Sequence, residues 1–285
     1  MNTSKGNSSS SGEVNTNQGV ADESIRKPSH PEAEASPSSP QPQPEVFPGD
    51  SLVVPLKQRT PSNPCFGLVL NTAWPPPESF RPRYDAFVSG LRASHPSFDT
   101  KAYLYPFHAL HVTVATAHAF TRGLKDSESE EDLYREWAAV IEDARGRDCW
   151  PTEALSLEVS EVSLFGNAVV MQYKDVSASG VVAGMRKAVL EATSTRSDAL
   201  RAAGIDPTSL KIPNIIHSTI LRWTEDITGG ECSAIRGAFE SADTSSIIGY
   251  RFENREVNFV RELVPYMHID RSELTVPLVI QLGPS

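Results

Sequence analysis

The sequence predicts an α+β fold: a bilobal body of pseudo-two-fold, mixed β-sheets with flanking helices around a central cleft. Three observations carry this. From about residue 63 onward, apolar runs of strand length interleave with segments of helical spacing. Several of the strand-like runs follow one another as hairpin pairs. Each half of this region also holds one strand-like run with a His-x-Thr triplet, His111-Val112-Thr113 in the first and His217-Ser218-Thr219 in the second.

The elements come in this order. Cys65 opens a nearly continuous apolar run, CFGLVLN, that reads as a buried strand. Tyr84, Phe87, Val88 and Leu91 then recur at helical spacing, with Pro82 suited to the first turn. AYLYP and LHVTVAT are strand-like. The acidic stretch KDSESEED leads into a helix with the stripe Leu133, Trp137, Val140, Ile141 and Ala144, and Ser129 is its candidate N-cap. ALSLEVSEVSLFG and AVVMQYKD form a hairpin about Gly166-Asn167. A helix follows with Val181, Met185, Ala188, Val189 and Ala192 on one face. The next segment, residues 193–214, is interrupted by Gly204 and Pro207 and reads mostly as loop. IIHSTILRW is a strand, Ile235, Ala238 and Phe239 mark a short helix, and REVNFVREL and ELTVPLVIQ close as strands.

Residues 1–62 differ in kind. They are rich in Ser, Pro, Asn and Glu and poor in aromatics, so this segment is expected to be a disordered tail ahead of a bilobal domain at 63–285. The formal charge is −10, of which the tail holds −2. Proteins that track long nucleic acids present basic faces, because phosphate neutralisation supplies most of their binding energy. This balance points to a small nucleotide or an RNA 3′ terminus and away from duplex DNA. No apolar run approaches the roughly 20 residues that span a bilayer, so no membrane partner is expected. Three scattered cysteines, Cys65, Cys149 and Cys232, suit a reducing compartment, cytoplasmic or nuclear. A monomer is expected.

The triplets carry the chemistry. Side chains alternate along a strand, so His111 and Thr113 share one face while Val112 and Val114 pack the other; His217 and Thr219 repeat the arrangement. Two imidazoles suffice for phosphodiester cleavage, one neutral and taking a proton, the other protonated and giving one. Neither a metal nor a cofactor is required.

These residues resemble the two-histidine phosphoesterase superfamily, which includes RNA 2′,3′-cyclic phosphodiesterases, LigT-like 2′-5′ RNA ligases and certain RNA 3′-end exonucleases. Its two motifs read His-hydrophobic-Ser/Thr-hydrophobic. His111-Val112-Thr113-Val114 fits throughout, and His217-Ser218-Thr219-Ile220 departs only at Ser218. The resemblance covers about residues 64–283 and implies an acid–base pair, His111 and His217, with Thr113 and Thr219 holding the phosphate. Which histidine is the acid stays open. A nucleotide-binding module with little catalysis, the ligase direction, and an adaptor acting through the tail are the competing readings.

Tyr105, Phe107, Trp74 and Trp223 are candidates to stack a base, Trp223 because simple alternation places it on the His217 face. The same alternation turns Arg222 away. His95-Pro96-Ser97-Phe98 matches the triplet but lacks strand context. His108, His111 and His118 are spaced so that His111 opposes the other two, which argues against a metal site.

Overall fold

A computed structural model describes residues 45–125 and 129–283. The chain starts with a two-residue strand β1 (Val46–Phe47) and a short helix α1 (Val54–Gln58), followed by β2 (Gly67–Thr72). Helices α2 (Arg81–Ser94) and α3 (Ser97–Thr100) precede β3 (Ala102–Leu104) and β4 (Val112–His118). Helix α4 (Glu130–Arg145) leads to the hairpin of β5 (Leu155–Phe165) and β6 (Ala168–Asp175). Helices α5 (Val181–Thr195) and α6 (Ser197–Ala202) come before β7 (His217–Trp223), β8 (Ile227–Thr228) and α7 (Gly230–Glu240). Strands β9 (Arg251–Asn254), β10 (Glu256–Glu262) and β11 (Leu278–Gln281) complete the order.

Two principal sheets result, four strands in the order β11-β10-β2-β4 and five in the order β3-β7-β6-β5-β9, with every named pairing antiparallel. Each sheet holds one triplet strand, β4 in the first and β7 in the second. The lobes are not sequence halves, however. Strand β3, directly before the first triplet, joins the sheet of the second; the C-terminal β10 and β11 join the sheet of the first.

Local chemistry accounts for the helices. Ser129 caps α4 by accepting from the Asp132 N–H, with Glu130, Glu131 and Asp132 in the first turn facing the positive end of the dipole. The α4 stripe is fully buried, and Tyr134 beside it stacks on Phe259 of β10 at 5.7 Å. Truncating Trp137 to alanine would cost about 3–5 kcal/mol at such a site.

Three expectations change. The boundary at residue 62 moves toward the N-terminus, because residues 45–58 are folded onto the body. Phe47 is buried and stacks on Trp223 at 5.9 Å, β1 pairs with β8, and Asp50 caps the turn that begins α1. Gly49 permits this docking: a Cβ there would stand 2.6 Å from the Glu225 backbone. The part of the expected tail on residues 1–44 lies outside the described residues. Second, the segment read as loop contains α6, whose Leu200 is buried. Third, the last strand is shorter than ELTVPLVIQ, starting only at Leu278. Among the described residues, no helix is long and apolar enough to cross a membrane.

Candidate active site

His111 precedes β4 and His217 opens β7, and both rings line one cleft of about 240 Å³ with Thr113 and Thr219. His111 Nδ1–H donates to the Ala109 carbonyl at 2.9 Å. At the matching place two residues before His217, the Ile215 carbonyl acts to raise the pKa of that ring. For His111 the bond to Ala109 fixes the tautomer and leaves Nε2 for the cleft.

The two strands share a second device. In β4 the pairing with β2 skips Val114, and in β7 the pairing with β6 skips Ile220. Each extra residue is a bulge that turns the following alternation over. The buried pairs Val114-Ala115 and Ile220-Leu221 mark the turnover. Beyond it, Thr116 and Arg222 return to the cleft. Positions 111, 113 and 116 thus correspond to 217, 219 and 222, each pair separated by the same interval in the chain.

This bulge corrects two expectations at once. Trp223 does not face the cleft: it is fully buried, stacked on Phe47 and within 5.7 Å of the Phe98 ring. Arg222, expected to point away, lines the cleft instead. Tyr105 does border the cleft, whereas Phe107 packs against Phe80 and Tyr84 and borders a neighbouring cavity. Trp74 belongs to a small satellite cluster with Val260, Met267 and Val276. His95 accepts from the Ser97 N–H beyond α2, away from the cleft. Among the described residues, no three His, Cys, Asp or Glu side chains gather where a metal ion would be held.

Sequence reasoning missed several cleft residues. Lys211 reaches it through a two-way backbone bridge with Thr116 at 2.8 and 2.9 Å. Tyr266 and Met267 enter on a turn where both take left-handed φ, 60° and 61°. The Arg222 guanidinium lies 4.5 Å over the Tyr266 ring and 3.4 Å from Asp50, to which the Tyr266 hydroxyl also donates. Arg186 of α5 donates to the Thr113 carbonyl at 3.2 Å and the Ile215 carbonyl at 2.9 Å, tying β4 to the segment that leads into β7.

Charge and burial set the proton chemistry. Burial pushes the His111 pKa down to about 4, helped by the His217 charge and opposed by the Ala109 carbonyl. Burial also lowers His217, and Arg186 and Arg222 act in the same direction against the Ile215 carbonyl. Glu262, buried at the rim, is raised to about 7 by desolvation, although the Met267 and Tyr266 N–H groups oppose the rise. A cleft with neutral imidazoles, several hydroxyls and the cations of Arg222 and Lys211 suits an anionic ligand whose reaction moves protons.

No protein-family model matches the sequence, and no curated protein matches it. Among solved structures, TT0787 of Thermus thermophilus overlays with a TM-score of 0.48 at 14% identity, covering 77% of this chain and 100% of its own. E. coli LigT complexed with ATP gives 0.42 at 12%, over 78% and 100%. Kluyveromyces marxianus Usb1 gives 0.44 at 12%, over 76% and 98%.

Proposed function

We propose that the cleft is the active site of a metal- and cofactor-independent phosphodiesterase of the two-histidine type, acting on 2′,3′-cyclic nucleotides or RNA termini. The observation that carries this reading is the meeting of the two triplets: the imidazoles of His111 and His217 line one cleft with the hydroxyls of Thr113 and Thr219.

His111, kept neutral by burial, is the base. Its Nε2 takes a proton from water as the oxygen attacks phosphorus. The opposite phosphorus–oxygen bond to the ribose breaks in line, and His217 gives its proton to the departing oxygen. The bound phosphate's negative charge offsets Arg222 and Arg186, which favours the protonated His217 that this step needs. Thr113 and Thr219 donate to the non-bridging oxygens, and Arg222 balances their charge. One water is consumed, and before the next turnover His111 releases its proton to solvent while His217 takes one up. In the ligase reading, a ribose hydroxyl of a second chain takes the place of water as the attacking group, and His111 takes its proton. The three free cysteines agree with a cytoplasmic or nuclear setting.

The test is ring opening of 2′,3′-cyclic nucleotides in EDTA. Turnover that falls at least about 100-fold in His111→Ala and in His217→Ala supports the reading. Tight binding without turnover would instead identify a nucleotide-binding module.

A further inference from the structure

The cleft, at about 240 Å³, is smaller than the roughly 300–1,000 Å³ of sites that enclose a whole small ligand. That volume suits a phosphate and part of a ribose. Behind Tyr105 lies a second cavity of about 660 Å³, and Tyr105 lines both. The rings continue from one space to the other. Tyr105 stands 6.2 Å from Tyr266 on the cleft side and 5.5 Å from Tyr103 on the far side. His268 packs on both Tyr103 and Tyr105, at 5.2 and 5.0 Å. Its Nδ1 faces the Tyr266 carbonyl at 3.0 Å, and its Nε2 is buried with no protein partner.

Part of the wall comes from the chain's own N-terminal segment. Arg59 caps the end of α1, is exposed at this cavity and makes no ion pair among the described residues. Its charge acts on Tyr103, whose phenol is half-buried. An aromatic face beside an unpaired cation is the combination that holds a base and its phosphate, since stacking is tolerant of sequence and the cation tracks the backbone.

We infer that this cavity receives the nucleotide adjoining the reacting terminus, so that the substrate is the end of a single-stranded oligonucleotide. The inference rests on the phosphodiesterase reading of the cleft. Tyr103 and His268 meet the base, and Arg59 meets the linking phosphate. The acidic balance of the chain fits a short end and not a long tract.

The test compares a dinucleotide ending in a 2′,3′-cyclic phosphate with the matching mononucleotide. The dinucleotide should show a kcat/KM about ten-fold higher or more, the scale of one stacked base. Arg59→Asn and Tyr103→Leu should each lower that ratio several-fold, and Arg59→Lys should restore most of it. Asn is chosen because it tolerates the left-handed backbone at this position, φ 54°. Equal kcat/KM for the two substrates, or a ratio the variants leave untouched, would overturn the inference. If neither substrate is opened, the catalytic reading fails by itself, and calorimetric binding decides the subsite. Tighter binding of the dinucleotide that weakens in Arg59→Asn supports it; equal binding, or none, overturns it.

Discussion

Ser218 Oγ donates a 2.7 Å hydrogen bond to the carbonyl oxygen of His111, and the Tyr173 hydroxyl donates to Ser218 Oγ at 3.1 Å. The bond runs from the second triplet to the first, from β7 in one sheet to the residue just before β4 of the other. Ser218 is the position where the motif pattern asks for an apolar residue. Its hydroxyl faces away from the cleft and is buried, yet its partner is the backbone of the opposite histidine. Ser218→Ala should cost about 1–2 kcal/mol in denaturant unfolding, the price of an unsatisfied buried acceptor. It should also lower kcat more than it changes KM, because the rings lose their shared reference. An unchanged kcat in a destabilised variant would show that the tie serves folding alone.

Arg222→Gln separates two roles of one cation. Loss of the charge that faces the phosphate should lower kcat/KM by about 100-fold, the scale of one lost donor at developing charge. The same loss removes a group that lowers His217, so the His217 pKa should rise. Arg222→Lys should recover part of the rate. A rate loss with no movement of the His217 titration, followed by NMR, would place the guanidinium too far from the ring to matter.

How much of this site is legible in the sequence depends on the strand period. His111, Thr113, His217 and Thr219 stand before the bulges, and alternation alone placed them correctly on one face. Trp223 and Arg222 stand after the bulge at Ile220, and one extra residue exchanged them. The signal was present as two successive apolar residues, Val114-Ala115 and Ile220-Leu221, where a half-buried strand should alternate. The helix stripes of α2, α4 and α5 were readable because each is buried on one face over several turns. The crossing of β3, β10 and β11 between lobes left no local trace, since strand pairing is a long-range contact. Residues 45–58 were obscured by their polar surroundings, although Phe47, Asp50 and Pro55 carried an anchor, a cap and a helix start.

The pH profile follows from the direction of both histidine shifts. His111 must be neutral to take a proton, and with a pKa of about 4 it is so above that pH. His217 must be protonated to give one, and it is lowered from 6.5. The kcat/KM profile, which reports the free enzyme, should therefore be bell-shaped, with its acid limb near pH 4 and its alkaline limb below 6.5. Steady-state rates on a cyclic nucleotide across roughly pH 3.5 to 8 check this. A rate that climbs steadily through the alkaline end of that range would contradict the assignment of His217 as the acid.

Glu262 makes the stability of the fold depend on pH in the opposite sense to the buried histidines. Its pKa rises from 4.5 to about 7 on folding, so between these values the folded chain holds a proton that the unfolded chain has released. Stability from this group is complete below pH 4.5 and falls as pH rises toward 7, by at most roughly 3 kcal/mol. His111 and His268 are both pushed down to about 4 by burial, so they resist protonation, and their contribution falls as pH drops from 6.5 toward 4. Glu262→Gln keeps an acceptor for the Met267 N–H, which Glu262 Oε1 now receives at 3.1 Å, and removes the charge. The variant should unfold at a higher temperature than the parent at about pH 8 and at nearly the same temperature at about pH 4.5. Its stability optimum should therefore move upward in pH, with the acid side, set by the histidines, unchanged. Melting curves at half-unit steps from about pH 4 to 8 measure the difference. An offset constant across that range would mean that packing at residue 262, and not its proton, sets the effect.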